Sequence, residues 1–252
     1  MKERFRPISD IWITGVNPAR EAMKADRAPL RELILARSDS RGRELAELAE
    51  MKAIPIRRES RDAISALVGH EHHQGAALRA NEFLYTDLEV VLARPMEERE
   101  PLVVLDSIQD PQNLGAVLRS ACFLGAKGVV IPVDRSARVT GTVMKVAAGA
   151  TSYLPVVQAV NLVRTLDALK ERGIWTVGLD AGDDRSLYDV DLTIPVALVI
   201  GNEQKGLRPL VRKRCDILAG IPAHGPLDSL NAATAGAVAL AEVQRQRIAH
   251  RR

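Results

Sequence analysis

Five near-continuous aliphatic runs in the second half of the chain constrain its fold more than any other feature: Leu102-Val103-Val104-Leu105, Gly128-Val129-Val130-Ile131, Trp175-Thr176-Val177, Val196-Ala197-Leu198-Val199-Ile200 and Ile217-Leu218-Ala219. A strand with one wet face alternates apolar and polar residues, whereas a strand covered on both faces reads as unbroken Val, Ile and Leu. Such runs specify a parallel sheet covered by helices. The stretches between them predict helices at about 112–125, 137–149, 161–172, 205–214 and 228–247. Residues 11–80 read as a smaller α/β module, with apolar runs at Ile11-Trp12-Ile13, Leu33-Ile34-Leu35, Ile54-Pro55-Ile56 and Gly75 to Leu78. Helical patterns lie between them at Pro18 to Ala25, Arg41 to Met51 and Asp62 to Val68. In the second of these, Leu45, Leu48 and Ala49 alternate with Glu44, Glu47 and Glu50, giving one buried and one acidic face. Segment 81–100, ending in Arg94-Pro95-Met96-Glu97-Glu98-Arg99-Glu100-Pro101, has the charge and prolines of a connector. The expected organisation is a front domain at 1–80, a linker at 81–100 and a larger α/β domain at 101–252.

A length of 252 residues suits one large and one small domain, each with its own core. No segment approaches the ~18 continuous apolar residues of a membrane span. Met1 to Arg6 shows no apolar core behind its charges, so a cytosolic location is expected. The cysteines, Cys122 and Cys215, are far apart and support neither a disulfide framework nor a zinc cluster. His70-Glu71-His72-His73 does not place two histidines one helical turn apart, and no metal is expected. Neither GxGxxG, GxxxxGK[ST] nor GxSxG occurs, which removes the usual support for dinucleotide, P-loop and serine-hydrolase readings. Net charge is +3, but residues 1–80 and 101–252 are each mildly basic around an acidic 81–100. That distribution is compatible with RNA across two domains, and equally with a solvated acidic linker. Aromatics at 3% are too scarce for a row of base-stacking rings.

Three constellations sit where strands give way to turns. In the first, Asp110-Pro111 can start a helix, with the carboxylate capping free amides, and Asn113 and Arg119 follow; Arg119 lies off the apolar stripe of Leu114, Val117, Leu118 and Ala121. In the second, Gly201-Asn202-Glu203 follows a buried strand, where open α/β sheets bind ligands. A tight turn with Asn202 capping the next helix explains those residues equally well. Lys205, Arg208, Arg212, Lys213 and Arg214 then form a basic helix that either holds phosphates or faces solvent. In the third, Ile221-Pro222 leads through Ser229-Leu230-Asn231 into a helix of small residues whose first turn offers free N–H groups to an anionic ligand part.

Jointly, in order and spacing, Asp110 to Ser120, Gly201-Asn202-Glu203 with Lys205-Gly206, and Ile221-Pro222 through Asn231 resemble the three motifs of the SpoU/TrmH family of RNA ribose methyltransferases. The similarity extends through Asp134-Arg135-Ser136-Ala137, Lys145 to Ala150, Gly15-Val16-Asn17-Pro18 and His73-Gln74-Gly75, so it covers nearly the whole chain. The chain departs from the pattern at Gln204, where glycine is usual, and around Pro226-Leu227 and Ala232-Ala233-Thr234. The resemblance implies an α/β methyltransferase domain with a deep C-terminal trefoil knot of the SPOUT type, which physical reasoning alone would not choose. It also implies a front domain resembling a small RNA-binding ribosomal protein, a homodimer formed through the methyltransferase domain, and S-adenosylmethionine as cofactor. The implied substrate is a guanosine ribose of 23S rRNA. The alternatives are a tRNA ribose and a non-catalytic RNA-binding or assembly role.

By family pattern, cofactor contacts fall on Gly201, Ile221 and Leu230, and the catalytic positions match Asn113, Arg119, Glu203, Ser229 and Asn231. The family assigns proton removal to the arginine at Arg119. An arginine pKa above ~12 favours instead a donor that stabilises the developing alkoxide and grips the adjacent phosphate.

Overall fold

The structure, a computed structural model, describes residues 11–25, 29–93 and 100–250. The charged leader Met1 to Arg6 and the Arg94 to Arg99 part of the connector lie outside the described residues. The chain divides into two compact units: residues up to Leu84 with Val139–Tyr153, and Tyr85–Arg138 with the chain from Leu154 onward.

In the first unit, β1 (Ile11–Thr14), α1 (Val16–Ala25), β2 (Leu30–Leu35), α2 (Ser40–Met51), α3 (Arg61–Val68) and β4 (Ala76–Ala80) follow the predicted elements, whereas β3 (Ile56–Arg58) starts two residues after the predicted run at Ile54, because Pro55 cannot donate to a ladder. Their sheet runs β1-β4-β2-β3, with β4 antiparallel to both neighbours and β2 parallel to β3. Ile34, Ile64 and Ala77 are buried beneath Trp12.

Within the His70 to His73 segment, His73 is buried and tied into the fold. Gly75 N–H donates to His73 Nδ1 (3.0 Å), so the ring proton sits on Nε2 and is directed at Ser65 Oγ (3.0 Å). Next to it, Gln74 adopts φ +55° and its Oε1 accepts the Val16 N–H at the start of α1 (3.2 Å), joining the Gly15-Val16 and His73-Gln74-Gly75 segments. Burial is the main cause holding both His70 and His73 below the ordinary imidazole pKa. Depressed folded values mean stability is complete above the unfolded value of about 6.5 and is lost as pH falls through the folded ones. We expect the urea midpoint of this unit, read from Trp12 fluorescence in a Trp175→Phe chain, to fall between about pH 6.5 and 5. A flat profile over that range would show that neither ring is kept neutral by the fold.

Sequence boundaries needed correction at two places. Residues 139–153, expected in the second domain, belong to the first unit. Helix α6 (Gly141–Val146) lies so close to β1 that a Cβ on Gly141 would stand 2.6 Å from the Trp12 carbonyl oxygen, and Tyr153 Oη donates to Glu21 Oε2 (2.6 Å). The helix predicted over 137–149 is shorter because Ala148 and Gly149 turn left-handed (φ +51° and +100°). The predicted connector also contains a helix, α4 (Leu88–Leu92). Leu88, Val91 and Leu92 lie one turn apart and pack into the second core, which overrides the polar composition around them.

The second unit is the expected covered parallel sheet. Strands β5 (Leu102–Leu105), β6 (Gly128–Pro132), β7 (Val156–Ala159), β8 (Trp175–Leu179), β9 (Val196–Ile200) and β10 (Ile217–Ala219) pair in the order β10-β8-β9-β5-β6-β7, every pair parallel. Sequence reading missed β7, a short edge strand interrupted by Gln158. Helices α5 (Pro111–Phe123), α7 (Leu162–Glu171), α8 (Pro209–Arg214) and α9 (Ala232–Ala249) cover the sheet. The small residues of α9 permit close approach: a Cβ on Gly236 would lie 2.8 Å from Ile200 Cδ1. Strand order reverses about β5, between β6 and β9, so their carboxyl ends leave a crevice at the switch point.

Among the described residues, no helix is long and apolar enough to cross a membrane. The two cysteines are half-buried thiols, and burial pushes the Cys215 thiol up to about 12, so it stays protonated near neutral pH.

Candidate active site

At the carboxyl ends of β5 and β9 the chain makes two turns that lock together. After β5, Asp106 is fully buried, and its carboxylate accepts the Arg208 backbone N–H (2.7 Å) and Nε–H (2.5 Å). Ser107 then takes a left-handed conformation (φ +66°), and Asp110 caps α5 by accepting the Gln112 N–H (2.9 Å), with Pro111 in the first turn as expected. After β9, Gly201 is required by space. A Cβ there would stand 2.3 Å from Gly206 C and 2.5 Å from Leu207 N, both backbone atoms. Asn202 does not cap a helix. Asn202 and Gly206 exchange backbone hydrogen bonds (3.0 and 2.8 Å), while the Asn202 side chain accepts from Gln204 and Lys205 N–H groups and donates to the Ser107 carbonyl (3.1 Å). The helix predicted from 205 therefore starts at Pro209.

These turns bring several candidate residues together. Asn113, in the first turn of α5, donates from Nδ2 to Glu203 Oε1; its Oδ1 accepts from Asn231 Nδ2 (2.8 Å). Asn231 in turn caps α9, its Oδ1 accepting the Ala233 and Thr234 N–H groups (2.8 and 3.4 Å). The relay orients every amide in it: a carboxylate at one end demands an N–H, and the free amides of a helix at the other demand an oxygen. Residues 90 and 118 positions apart in sequence thus share one hydrogen-bonded line.

Beside this line lies a cavity of about 680 Å³, bordered by Gly201, Glu203, Ile221, Ser229 and Leu230 with Leu179, Asp180 and Ile200. Its volume falls within the roughly 300–1,000 Å³ of small-molecule sites. Apolar walls from Ile200, Ile221 and Leu230 suit a flat ring, and the carboxylates of Glu203 and Asp180 suit a cation. Burial opposes the charge on Asp180, yet the Arg212 guanidinium and the Gly182 N–H hold it below the usual carboxylate range. Ser229 lies in the loop before α9, not in the first turn predicted for it, because the helix begins only after Asn231.

Arg119 is not part of this group. Six residues beyond Asn113, it lies about 120° round α5 and ~9 Å along it, exposed and without a hydrogen bond or ion pair among the described residues. The basic stretch after the second turn is largely committed within the chain: Arg208 to Asp106, Arg212 to Asp180 and Arg214 to Asp167. That pairing answers the choice between phosphate binding and solvent for three of its five cations.

Sequence reasoning assigns these roles to neither Asp106 nor Asn202. A carboxylate directly after an unbroken buried strand was the available signal, since a buried charge requires partners. We expect Asp106→Ala to cost about 2–3 kcal/mol, because it leaves the Arg208 N–H without its acceptor while the guanidinium, over a third exposed, turns to water. A urea midpoint lowered at unchanged m-value is the measurement; an unchanged midpoint would remove Asp106 as the anchor of both turns.

A parallel α/β sheet with a cavity at the carboxyl ends of its central strands, rimmed by a fixed polar relay, defines a small-molecule-binding enzyme of the open-sheet class. The sequence matches the SpoU rRNA methylase family over residues 100–241, and residues 12–86 match the RNA 2′-O ribose methyltransferase substrate-binding family. The chain belongs to the SpoU rRNA methylase family. It is 42% identical to the 23S rRNA (guanosine-2′-O-)-methyltransferase RlmB of Xanthomonas campestris pv. campestris, over 94% of this chain and 97% of that protein. The SpoU methyltransferase AviRb from Streptomyces viridochromogenes, solved in complex with the cofactor AdoMet, superposes with a TM-score of 0.81 at 28% identity, covering 95% of this chain and 91% of that one. A structure described for 2-OH methylation of C/U34 on tRNA superposes with a TM-score of 0.51 at 28% identity, covering 61% of this chain and 99% of its own.

Proposed function

We propose that this protein is an S-adenosylmethionine-dependent ribose 2′-O-methyltransferase acting on a guanosine of 23S rRNA. The observation that carries the reading is the 42% identity to RlmB along nearly the full length of both chains. The Glu203–Asn113–Asn231 relay beside the cavity supports it chemically. The smaller tRNA-directed neighbour accounts for only part of this chain, which favours ribosomal RNA over tRNA. An intact polar relay argues against a purely non-catalytic role.

S-adenosylmethionine supplies the methyl group when bound, and the chain has to hold a ribose 2′-hydroxyl in line with it and manage the hydroxyl proton. Gly201, Ile221 and Leu230 border the space for the cofactor, with the bare backbone at Gly201 allowing close approach. Asn113 and Asn231 fix Glu203 at the rim, where the carboxylate oxygen not bonded to Asn113 can accept a hydrogen bond from the nucleotide. Ser229 and Asn231 order the loop that closes the cavity. Arg119, always charged and outside the relay, stabilises the developing alkoxide and holds the neighbouring phosphate once bound RNA lies against the exposed face of α5 and completes the site. Much of the rate gain comes from positioning.

Residues 1–80, with the 139–153 segment packed among them, serve as the RNA-holding domain, 81–100 as the connector and the rest of 101–252 as the catalytic domain, in the cytoplasm. The C-terminal part of this domain forms a trefoil knot, a reading supported by the course of the chain from β10 at the sheet edge to α9, which packs against α5 and β9. The catalytic domain pairs with a second copy through the ends of α5 and α9, where Phe123 is 87% and Ile248 48% exposed and Gln244 Nε2 donates to the Leu124 carbonyl (2.8 Å). Light scattering should give the mass of two chains, and Phe123→Glu the mass of one; a monomeric parent would overturn the dimer. Mapping 2′-O-methylation in ribosomal and transfer RNA from cells lacking the gene tests the function. Loss of one methylguanosine in 23S rRNA is expected, and a loss confined to tRNA would overturn the substrate.

A further inference from the structure

One edge of the first unit carries a cluster of arginines. Strands β1, β2 and β3 all end there, β4 begins there, and helices α1, α2 and α3 all start from that edge. At its centre Arg37 donates from Nη1 to the Gln74 carbonyl (3.0 Å) and from Nε to Asp39 Oδ1 (2.7 Å), while Asp39 caps α2. Arg37 is thereby spent on structure. Around it stand four exposed arginines: Arg41 and Arg43 in the first turn of α2, Arg58 at the end of β3, and Arg61 opening α3. Arg58 and Arg43 are anchored to the edge through the Arg37 carbonyl (2.8 Å) and the Ser38 carbonyl (3.3 Å). Beyond its first turn the exposed face of α2 carries Glu44, Glu47 and Glu50, which would repel a polyanion and confine it to the arginine end of the helix. The three helix N-termini add positive potential to the arginine edge.

We infer that this edge, through Arg41, Arg43, Arg58 and Arg61, is the surface on which the first unit holds the phosphate backbone of the substrate RNA. The inference rests on the RNA methyltransferase reading and specifies which face does the holding. Guanidinium forks suit phosphate oxygens, and among the described residues no exposed Phe, Tyr or Trp stands at this edge, which leaves backbone contact, not base stacking, as the mode of recognition. An RNA held this way binds with little sequence preference at this unit, and selection of the nucleotide falls to the catalytic cavity.

The test compares the full-length parent with two variants, Arg41→Gln/Arg43→Gln/Arg58→Gln/Arg61→Gln and Arg41→Gln/Arg61→Gln, the second touching neither anchored arginine. A control, Lys24→Gln/Arg31→Gln/Lys52→Gln, removes charge near the opposite edge. Affinity for a 23S rRNA fragment is measured across salt concentration, with circular dichroism and S-adenosylmethionine titration reporting that each chain is folded. The fourfold variant should bind ~10–100-fold more weakly near physiological salt and lose about 3 from the slope of log K against log salt, the pair about half as much. The control should keep the parent slope. Unchanged affinity and slope in both variants would overturn the assignment and leave the edge to another partner, such as an acidic protein, while methylation by the parent kept the functional reading intact. A parent that binds S-adenosylmethionine but neither binds nor methylates the RNA would overturn both.

Discussion

Replacing Arg119 with alanine is expected to lower methyl transfer by at least ~100-fold while S-adenosylmethionine affinity stays at the parent value. Removing one donor aimed at developing negative charge costs roughly 10²–10³ in turnover, and that is the role proposed for this guanidinium. The structure makes the experiment clean. Arg119 is exposed, has no partner among the described residues and does not border the cavity. Its loss should therefore move stability by no more than about 0.5 kcal/mol. Arg119→Lys should recover only part of the rate, since an ammonium keeps the charge and loses the planar two-pronged contact. Single-turnover assays at saturating cofactor read the effect. Near-parent transfer by Arg119→Ala would take the residue out of the mechanism.

Gly201→Ala should act in the opposite sense, abolishing cofactor binding before chemistry is reached. The added Cβ would meet Gly206 C at 2.3 Å and Leu207 N at 2.5 Å, and both belong to the turn closed by the two Asn202–Gly206 backbone bonds. Backbone on both sides cannot swing aside as a side-chain end can. The turn must open, moving Asn202 off the Ser107 carbonyl and Glu203 off Asn113. Overpacking of this kind costs about 1–3 kcal/mol. Cofactor affinity should fall by more than ~100-fold in calorimetric titration, because the cavity wall itself is displaced. Gly236→Ala gives the scale: its nearest atom is the end of the Ile200 side chain at 2.8 Å, and its cost should be smaller. Parent-like cofactor binding by Gly201→Ala would separate this turn from the ligand site.

Much of the second unit was legible in the chain because burial on both faces leaves a plain record: each unbroken aliphatic run became a strand, and every pairing is parallel. The weaker record of β7, interrupted by Gln158 at the sheet edge, was passed over for the same physical reason. The helix at 88–92 and the attachment of 139–153 to the first unit were not legible, since each depends on a packing partner distant in sequence.

For the site, residue type and local order pointed to Asn113, Glu203, Ser229 and Asn231, yet nothing local states that Asn113 bonds to both Glu203 and Asn231. Likewise the basic run from Lys205 leaves phosphate binding and a solvated face both open until Asp106, Asp167 and Asp180 arrive from distant segments to pair with three of its cations.

The amino-acid sequence by itself determined the fold class, the turns at which chemistry gathers and the family pattern, because hydrophobic periodicity and turn residues are local properties. Only the tertiary structure decided which polar groups meet, which arginines are already engaged and which remain exposed. Those outcomes depend on how segments a hundred residues apart are brought within hydrogen-bond reach, and short-range pattern carries no information about that distance.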